Sequence, residues 1–398
     1  MARSLHAILA AQAKARARRM ESTGKTLLKL VAPAKTAKAA KPVRPVEKVT
    51  PGAPARQKTS GVPAVATRST KSFLSGLGSR ADDGAGTWRN FLYNPPRGAS
   101  SEGGQLSYAV YLPPGLPAAG KTTPAVVLLH GCQQDMHAIA RGTRMNMLAD
   151  ARGFAVIYVQ QSVRSNSSGC WRWFASQGED EADRIAGIVN TAVASYGLDA
   201  GRVYLAGMSA GAGMAALVAL RHPLLVSAVA MHSGAVVGAA SSSRGGLLVM
   251  RRGTTRPPSD LLRPFVNQVV AAGGMPALII HGNNDRVVAP RNAAQLAAQF
   301  LYLNRLSPTT GRTTVLARGT HHAYSRTDYG SEKKTIVRVC LVKELGHAWS
   351  GGNGDIRFHD STGPDASALM WRFFTTHRRR AKLPDTGLEG GKGRVQTV

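Results

Sequence analysis

Apolar and polar positions fall into a regular pattern only beyond the first fifth of the chain. Gln105 to Leu112 alternates with a period of two, the mark of an early antiparallel strand. Ala125 to Leu129, Phe154 to Gln160, Val203 to Ala206, Ala228 to His232 and Ala277 to Ile280 are short apolar runs of strand length, and Thr335 to Lys343 reads as a late strand. Between them, Met136 to Arg152, Glu179 to Tyr196, Ala210 to Arg221, Asn292 to Leu303 and Asp365 to Arg378 carry helical spacing. The second of these opens on acidic residues, as the helix dipole favours, and closes at Gly197. Apolar strands alternating with helices predict an α/β fold, a mostly parallel sheet with helices on both faces. Ligands of such sheets bind beyond the carboxyl ends of the strands. The reactive residues of an enzyme built this way should therefore follow predicted strands directly.

Charge divides the chain differently. The net charge is +29 over 398 residues, and residues 1–80 hold 17 basic residues against Glu21 and Glu47. A segment so charged and so poor in aromatics cannot bury enough surface to offset its conformational entropy. Lys35 to Thr70 is expected to be disordered, with a transient basic helix over Ser4 to Leu30. This gives a basic tail over 1–80, a folded domain over 81–380 and a flexible C-terminal tail over 381–398. The tail, through residues 1–70, is a candidate for attachment to a polyanion or an anionic granule surface. It has no aromatic residue before Phe73 to stack on bases, which counts against reading of single strands. Leu5 to Ala11 is apolar but short and precedes Lys14, Arg16, Arg18 and Arg19, the reverse of a secretory signal. The expected compartment is cytoplasmic, with the extracellular space as the alternative if an atypical export route operates. No apolar run approaches the roughly 20 residues of a transmembrane segment.

Candidate chemistry lies where the pattern asks for it. Gly207-Met208-Ser209-Ala210-Gly211 matches G-x-S-x-G between a strand and a small-residue helix, which makes Ser209 the candidate nucleophile. His130-Gly131-Cys132-Gln133 follows the Ala125 strand, so the backbone N–H groups of Cys132 and Ala210 are the candidate oxyanion hole. Asp285 follows the strand ending at Ile280 and is the best-placed acid; Asp260 precedes a helix-like stretch and Asp328 sits in a polar loop. His347 lies just past the last strand, whereas His321, His322 and His359 lack that context. Nucleophile, acid and histidine in this chain order suit acyl transfer, with Asp285 orienting His347 as general base. Cys132, Cys170 and Cys340 have no zinc-type spacing; they are either buried thiols or include a Cys132–Cys170 disulfide bracing the site. With no H-E-x-x-H and no glycine-rich phosphate loop, neither metal nor cofactor is expected.

Taken together, His130-Gly131-Cys132-Gln133, Cys170-Trp171-Arg172-Trp173-Phe174, Gly207 to Gly211, His281-Gly282 with Asp285, and Gly346-His347-Ala348-Trp349-Ser350-Gly351-Gly352 resemble the poly(3-hydroxybutyrate) depolymerase-type esterases. That family is related to feruloyl and acetylxylan esterases. The resemblance covers about Trp88 to Phe374. It implies an α/β-hydrolase fold and a serine carboxylic-ester hydrolase acting through an acyl-enzyme on small esters or hydroxyalkanoate polyesters, with Ser209, Asp285 and His347 as its triad. Neither an export signal nor a separate polymer-binding domain is legible, so soluble esters or intracellular polyester are the expected substrates. Trp171, Trp173 and Trp349 are candidate groove-lining residues. Two other readings remain: a polyanion-binding protein on a hydrolase-like scaffold, and a serine peptidase of the same fold.

Overall fold

The computed structural model describes residues 84–95, 105–115, 122–174, 176–379 and 395–397. The tail expected over 1–80 lies outside the described residues. So does most of the closing tail, of which 395–397 are described. The strands are β1 (Thr87–Tyr93), β2 (Leu106–Leu112), β3 (Thr123–Leu129), β4 (Ala155–Gln160), β5 (Leu198–Met208), β6 (Ala228–His232), β7 (Ala277–Gly282), β8 (Arg312–Leu316), β9 (Tyr324–Gly330), β10 (Thr335–Val342), β11 (Trp349–Ser350), β12 (His359–Asp360) and β13 (Val395–Thr397). The helices are α1 (Met136–Thr143), α2 (Met145–Arg152), α3 (Ser176–Tyr196), α4 (Ala210–Arg221), α5 (Ser243–Arg252), α6 (Pro258–Leu262), α7 (Val266–Ala271), α8 (Arg291–Leu303) and α9 (Ala366–Phe374).

Eleven strands form one sheet in the order β13-β1-β2-β4-β3-β5-β6-β7-β10-β9-β8. The stretch from β4 to β10 is parallel throughout. Antiparallel strands flank it on both sides. The central strands β3, β6 and β7 are buried at every position because both faces are covered. Ala125, Val127 and Leu129 of β3 join Val203 and Leu205 of β5 in a core under α3, α4 and α8. Their neighbours Val126, Leu128, Tyr204 and Ala206 point the other way, into a core with α1, α2 and α9. No helix among the described residues is long and apolar enough to cross a membrane.

Three elements differ from expectation. The helix expected over Met136 to Arg152 breaks at Arg144, which is left-handed at φ 54° and ψ 29°. The carbonyls of its last turn have other partners: Gly142 O accepts from Asn353 N at 2.8 Å and Thr143 O from Ser367 Oγ at 2.7 Å. β5 begins earlier than Val203, because Asp199 takes up the turn-like residues around it through Gly201 N at 2.9 Å and Arg202 at 2.6 Å. Asp328 lies in strand β9 rather than in a polar loop, paired with Arg338 at 2.5 Å. β8 and β9 had no apolar signature because their residues are mostly exposed or half-buried.

Five histidines are folded into the interior. Burial pushes the pKa of His130, His232, His281 and His377 below 6.5, and that of His359 down to about 4. Each stays neutral in the fold while its unfolded counterpart takes up a proton as pH drops through about 6.5. Stability is therefore full above that pH and declines below it, by up to about 1.4 kcal/mol per pH unit for each such histidine. The thermal midpoint should fall steeply between about pH 6.5 and 4.5. A midpoint unchanged across that window would contradict the neutral assignment.

Candidate active site

Ser209 sits on the turn from β5 into α4 with φ 56° and ψ −119°, a backbone conformation that side chains other than glycine rarely adopt. Close packing holds it there. A Cβ on Gly207 would lie 2.3 Å from Gly211 O, and one on Gly211 would lie 2.3 Å from Leu129 O. The two flanking glycines thus let α4 press against the ends of β3 and β5. Ser209 N donates to His232 O at 2.9 Å, and Ser209 O accepts from Ala212 N at 3.0 Å.

Asp285 and His347 come from neighbouring strands β7 and β10, whose exit loops are joined by main-chain bonds. Asn283 N donates to Val342 O at 3.0 Å and Asn284 N to Leu345 O at 3.1 Å. Glu344 N donates to Asn283 Oδ1 at 2.8 Å. A Cβ on Gly282 would lie 2.2 Å from Leu345 O, so only glycine lets the loops come this close. Asp285 Oδ1 accepts from Val287 N at 2.9 Å and Val288 N at 2.8 Å. Its Oδ2 accepts the Nδ1–H of His347 at 2.7 Å, which leaves Nε2 to accept from Ser209 Oγ at 2.9 Å. Burial alone would raise the Asp285 carboxyl, but the His347 ring, its hydrogen bond and His281 outweigh it and hold the group below its ordinary value. His281 fixes the same loop by donating from Nε2 to Val288 O at 2.8 Å.

The loop after β3 faces the serine. A Cβ on Gly131 would lie 3.5 Å from Ser209 Cβ. The amides of Cys132 and Ala210 donate none of the turn, loop and cap bonds among the described residues. Several contacts hold this loop. Gly131 N donates to Gln134 Oε1 at 2.8 Å, Gln133 N to Ser168 O at 2.9 Å and Trp171 Nε1 to His130 O at 3.0 Å. Cys132 and Cys170 are joined by a disulfide, and Cys340 is a buried thiol. Behind them lies Glu181, 3% exposed, which accepts from Gln161 Nε2 at 2.8 Å and Arg172 N at 2.9 Å. Burial pushes its carboxyl up. Sequence reasoning missed Glu181, although a carboxylate in helical register with Ile185 and Ile188 signals a buried role. The disulfide closes a loop of sequence separation 38. For a loop of that length, Cys132→Ala with Cys170→Ala should lower unfolding stability by about 4 kcal/mol. Urea unfolding checks this, and an unchanged midpoint would show the bond to be dispensable.

Residues 106–320 match the family described as Esterase PHB depolymerase. The chain belongs to the PHB depolymerase esterase family. It is 29% identical over 266 residues to poly(3-hydroxyalkanoate) depolymerase C of Paucimonas lemoignei, covering 65% of this chain and 60% of that protein. It is 32% identical over 193 residues to feruloyl esterase B of Neurospora crassa, covering 45% and 65% respectively. The chain thus spans less than two thirds of the length of either relative. In structure it is similar to the acetyl xylan esterase from Aspergillus awamori, with a TM-score of 0.57 and 19% identity over 72% of this chain and 99% of that one. That likeness places the esterase-family chain in the α/β-hydrolase fold.

Within this family member the three tryptophans expected to line a groove pack instead. Trp171 and Trp349 have no exposed surface and Trp173 is 4% exposed. Trp171 is bonded to the loop after β3, Trp173 rests on Gly213 of α4, and Trp349 stacks on His232. Their apolar bulk braces the loops that carry the site. The other acids and histidines lie outside the hydrogen-bond chain. Asp260 is 3.8 Å from Arg263, His321 and His322 are exposed, and His359 packs against Gly142.

Proposed function

We propose that this protein is a serine carboxylic-ester hydrolase that works through an acyl-enzyme on small esters or hydroxyalkanoate polyesters. The observation that carries the reading is the hydrogen-bond chain from Ser209 Oγ through His347 to Asp285. Ser209 Oγ attacks the ester carbonyl carbon while its proton passes to His347 Nε2. The resulting imidazolium is stabilised by Asp285, and the oxyanion is received by the amides of Cys132 and Ala210. The tetrahedral centre collapses, the C–O bond to the alcohol breaks, and His347 returns the proton to the leaving oxygen. Water, deprotonated by His347, then releases the acid by the same steps. The names of the depolymerase and esterase relatives support an ester rather than a peptide substrate. Hydrolysis of p-nitrophenyl esters of graded acyl length tests this, alongside a phosphonate label. Activity lost in step with one phosphonate on the peptide containing Ser209 is the expected result. An enzyme that cleaves peptide amides and no ester would overturn it in favour of the peptidase reading.

A second proposal concerns charge. Residues 241–320 contain ten arginines against Asp260 and Asp285, the latter buried. Arg251, Arg252, Arg256, Arg286 and Arg291 are exposed, and Arg291 Nη1 bonds Arg252 O at 3.2 Å. Together with residues 1–70 this supports attachment to a polyanion or anionic granule surface. Heparin retention that falls with salt and weakens on deleting residues 1–70 is expected; salt-insensitive retention would refute it. The Cys132–Cys170 disulfide supports an oxidising, extracellular site of action over the cytoplasm. Thiol trapping of the protein from its native cells, with both cysteines alkylated, would reverse that.

A further inference from the structure

His232 ends β6 between the strand that delivers Ser209 and the strand that delivers Asp285, and it is fully buried. Its carbonyl oxygen accepts Ser209 N at 2.9 Å. Its ring lies flat on Trp349, with centroids 5.1 Å apart and planes at 18°. Its Nε2 accepts from Ser350 N at 3.2 Å. A backbone amide only donates, so Nε2 carries the lone pair and the proton is on Nδ1. Nδ1–H then donates to Ser233 Oγ, 3.1 Å away and equally buried. Every polar atom of the residue that faces the site is used, and burial, reinforced by His281 and His347, keeps the ring neutral.

The segment carrying His347 needs such an anchor. It lies between β10 and β11, in neither a helix nor a strand, and Ala348 N closes a tight turn onto Gly346 O at 3.0 Å. A Cβ placed on Gly346 would meet nothing within 4 Å, so the turn is not packed from that side. The anchor lies just after the base, at Trp349 and Ser350. The Trp349 indole N–H has no hydrogen-bond partner among the described residues, so this ring is located by stacking and packing. His232 supplies the stacked face to Trp349 and the acceptor to Ser350 N.

We propose that His232 is a positioning residue. Through its carbonyl it holds the nucleophile's backbone, through its Nε2 acceptor it holds the amide of Ser350 and with it the base-bearing turn, and so it sets the separation of Ser209 Oγ and His347 Nε2. The proposal rests on the hydrolase reading above. Its effect is on kcat, because a displacement near 1 Å in reacting groups costs about 100-fold in rate.

The test compares His232→Phe, which keeps a ring on Trp349 but has no acceptor, with His232→Gln, whose Oε1 reaches toward Ser350 N. Kinetics on p-nitrophenyl butyrate and the low-field proton resonance of the His347–Asp285 hydrogen bond are both read. In His232→Phe, kcat should fall about 30-fold with KM within about twofold, and the resonance should weaken. In His232→Gln, both should recover to within about threefold of the wild type. Wild-type kcat in His232→Phe, or an equal loss in His232→Gln, would overturn the proposal. If His232→Phe does not fold, His232→Asn replaces it with the same expectations, since its shorter amide cannot reach Ser350 N. The resonance is read without substrate. A wild type inactive on every ester would defeat the hydrolase reading, while the resonance would still decide the role of His232.

Discussion

Ser209→Ala is expected to lower kcat on a p-nitrophenyl ester by about 10⁶-fold while leaving the fold intact. Alanine keeps the Cβ and accepts the same strain at φ 56°, so the turn and its main-chain bonds to His232 and Ala212 persist. What disappears is the hydroxyl 2.9 Å from His347 Nε2, and with it the covalent intermediate. Residual turnover would come from the oxyanion amides and substrate binding alone. Steady-state kinetics with thermal unfolding of both proteins makes the check. Activity retained within tenfold would mean that the ester is cleaved elsewhere.

Asp285→Asn is expected to cost about 10⁴-fold in kcat with little change in KM. The reason lies in how the carboxylate is used. Oδ1 accepts from Val287 N and Val288 N, and Oδ2 accepts from His347 Nδ1. An asparagine can satisfy the two amides only by placing its oxygen there, which turns its NH₂ toward Nδ1. His347 must then carry its proton on Nε2, facing Ser209 Oγ, and cannot accept the hydroxyl proton. The variant should label with phosphonate far more slowly than wild type yet show the same crystal-form or circular-dichroism signature. A loss under tenfold would mean that the tautomer is set by something other than Asp285.

The parts of this molecule legible in the sequence share one property, a strong local signal. Continuous apolar runs marked β3, β4, β6 and β7 because both faces of those strands are covered. The G-x-S-x-G turn was readable because steric crowding at Gly207 and Gly211 tolerates no side chain. Asp285 and His347 were picked out by strand-end position and chain order, and the fold sets them within hydrogen-bond reach of each other. What stayed hidden depends on contacts between distant segments. The break at Arg144 is set by Asn353 and Ser367, more than 200 residues on. The tryptophans read as groove-lining residues because the polar residues around them gave no sign that all three are buried. His232 appeared only as the end of an apolar run, since its stacking partner lies 117 residues later in the sequence.

The loops bearing Asp285 and His347 are sewn together mostly by backbone atoms, through Asn283 N, Asn284 N, Val342 O and Leu345 O. Such stitches are indifferent to side-chain identity. Asn284, Arg286 and Glu344 sit on the same loops with exposed side chains. A lineage can therefore exchange what these loops show to solvent without disturbing the alignment beneath. The surface of these loops becomes a trait that drifts separately from the alignment it covers, and a mutational library confined to those three positions would vary that surface at little cost to folding.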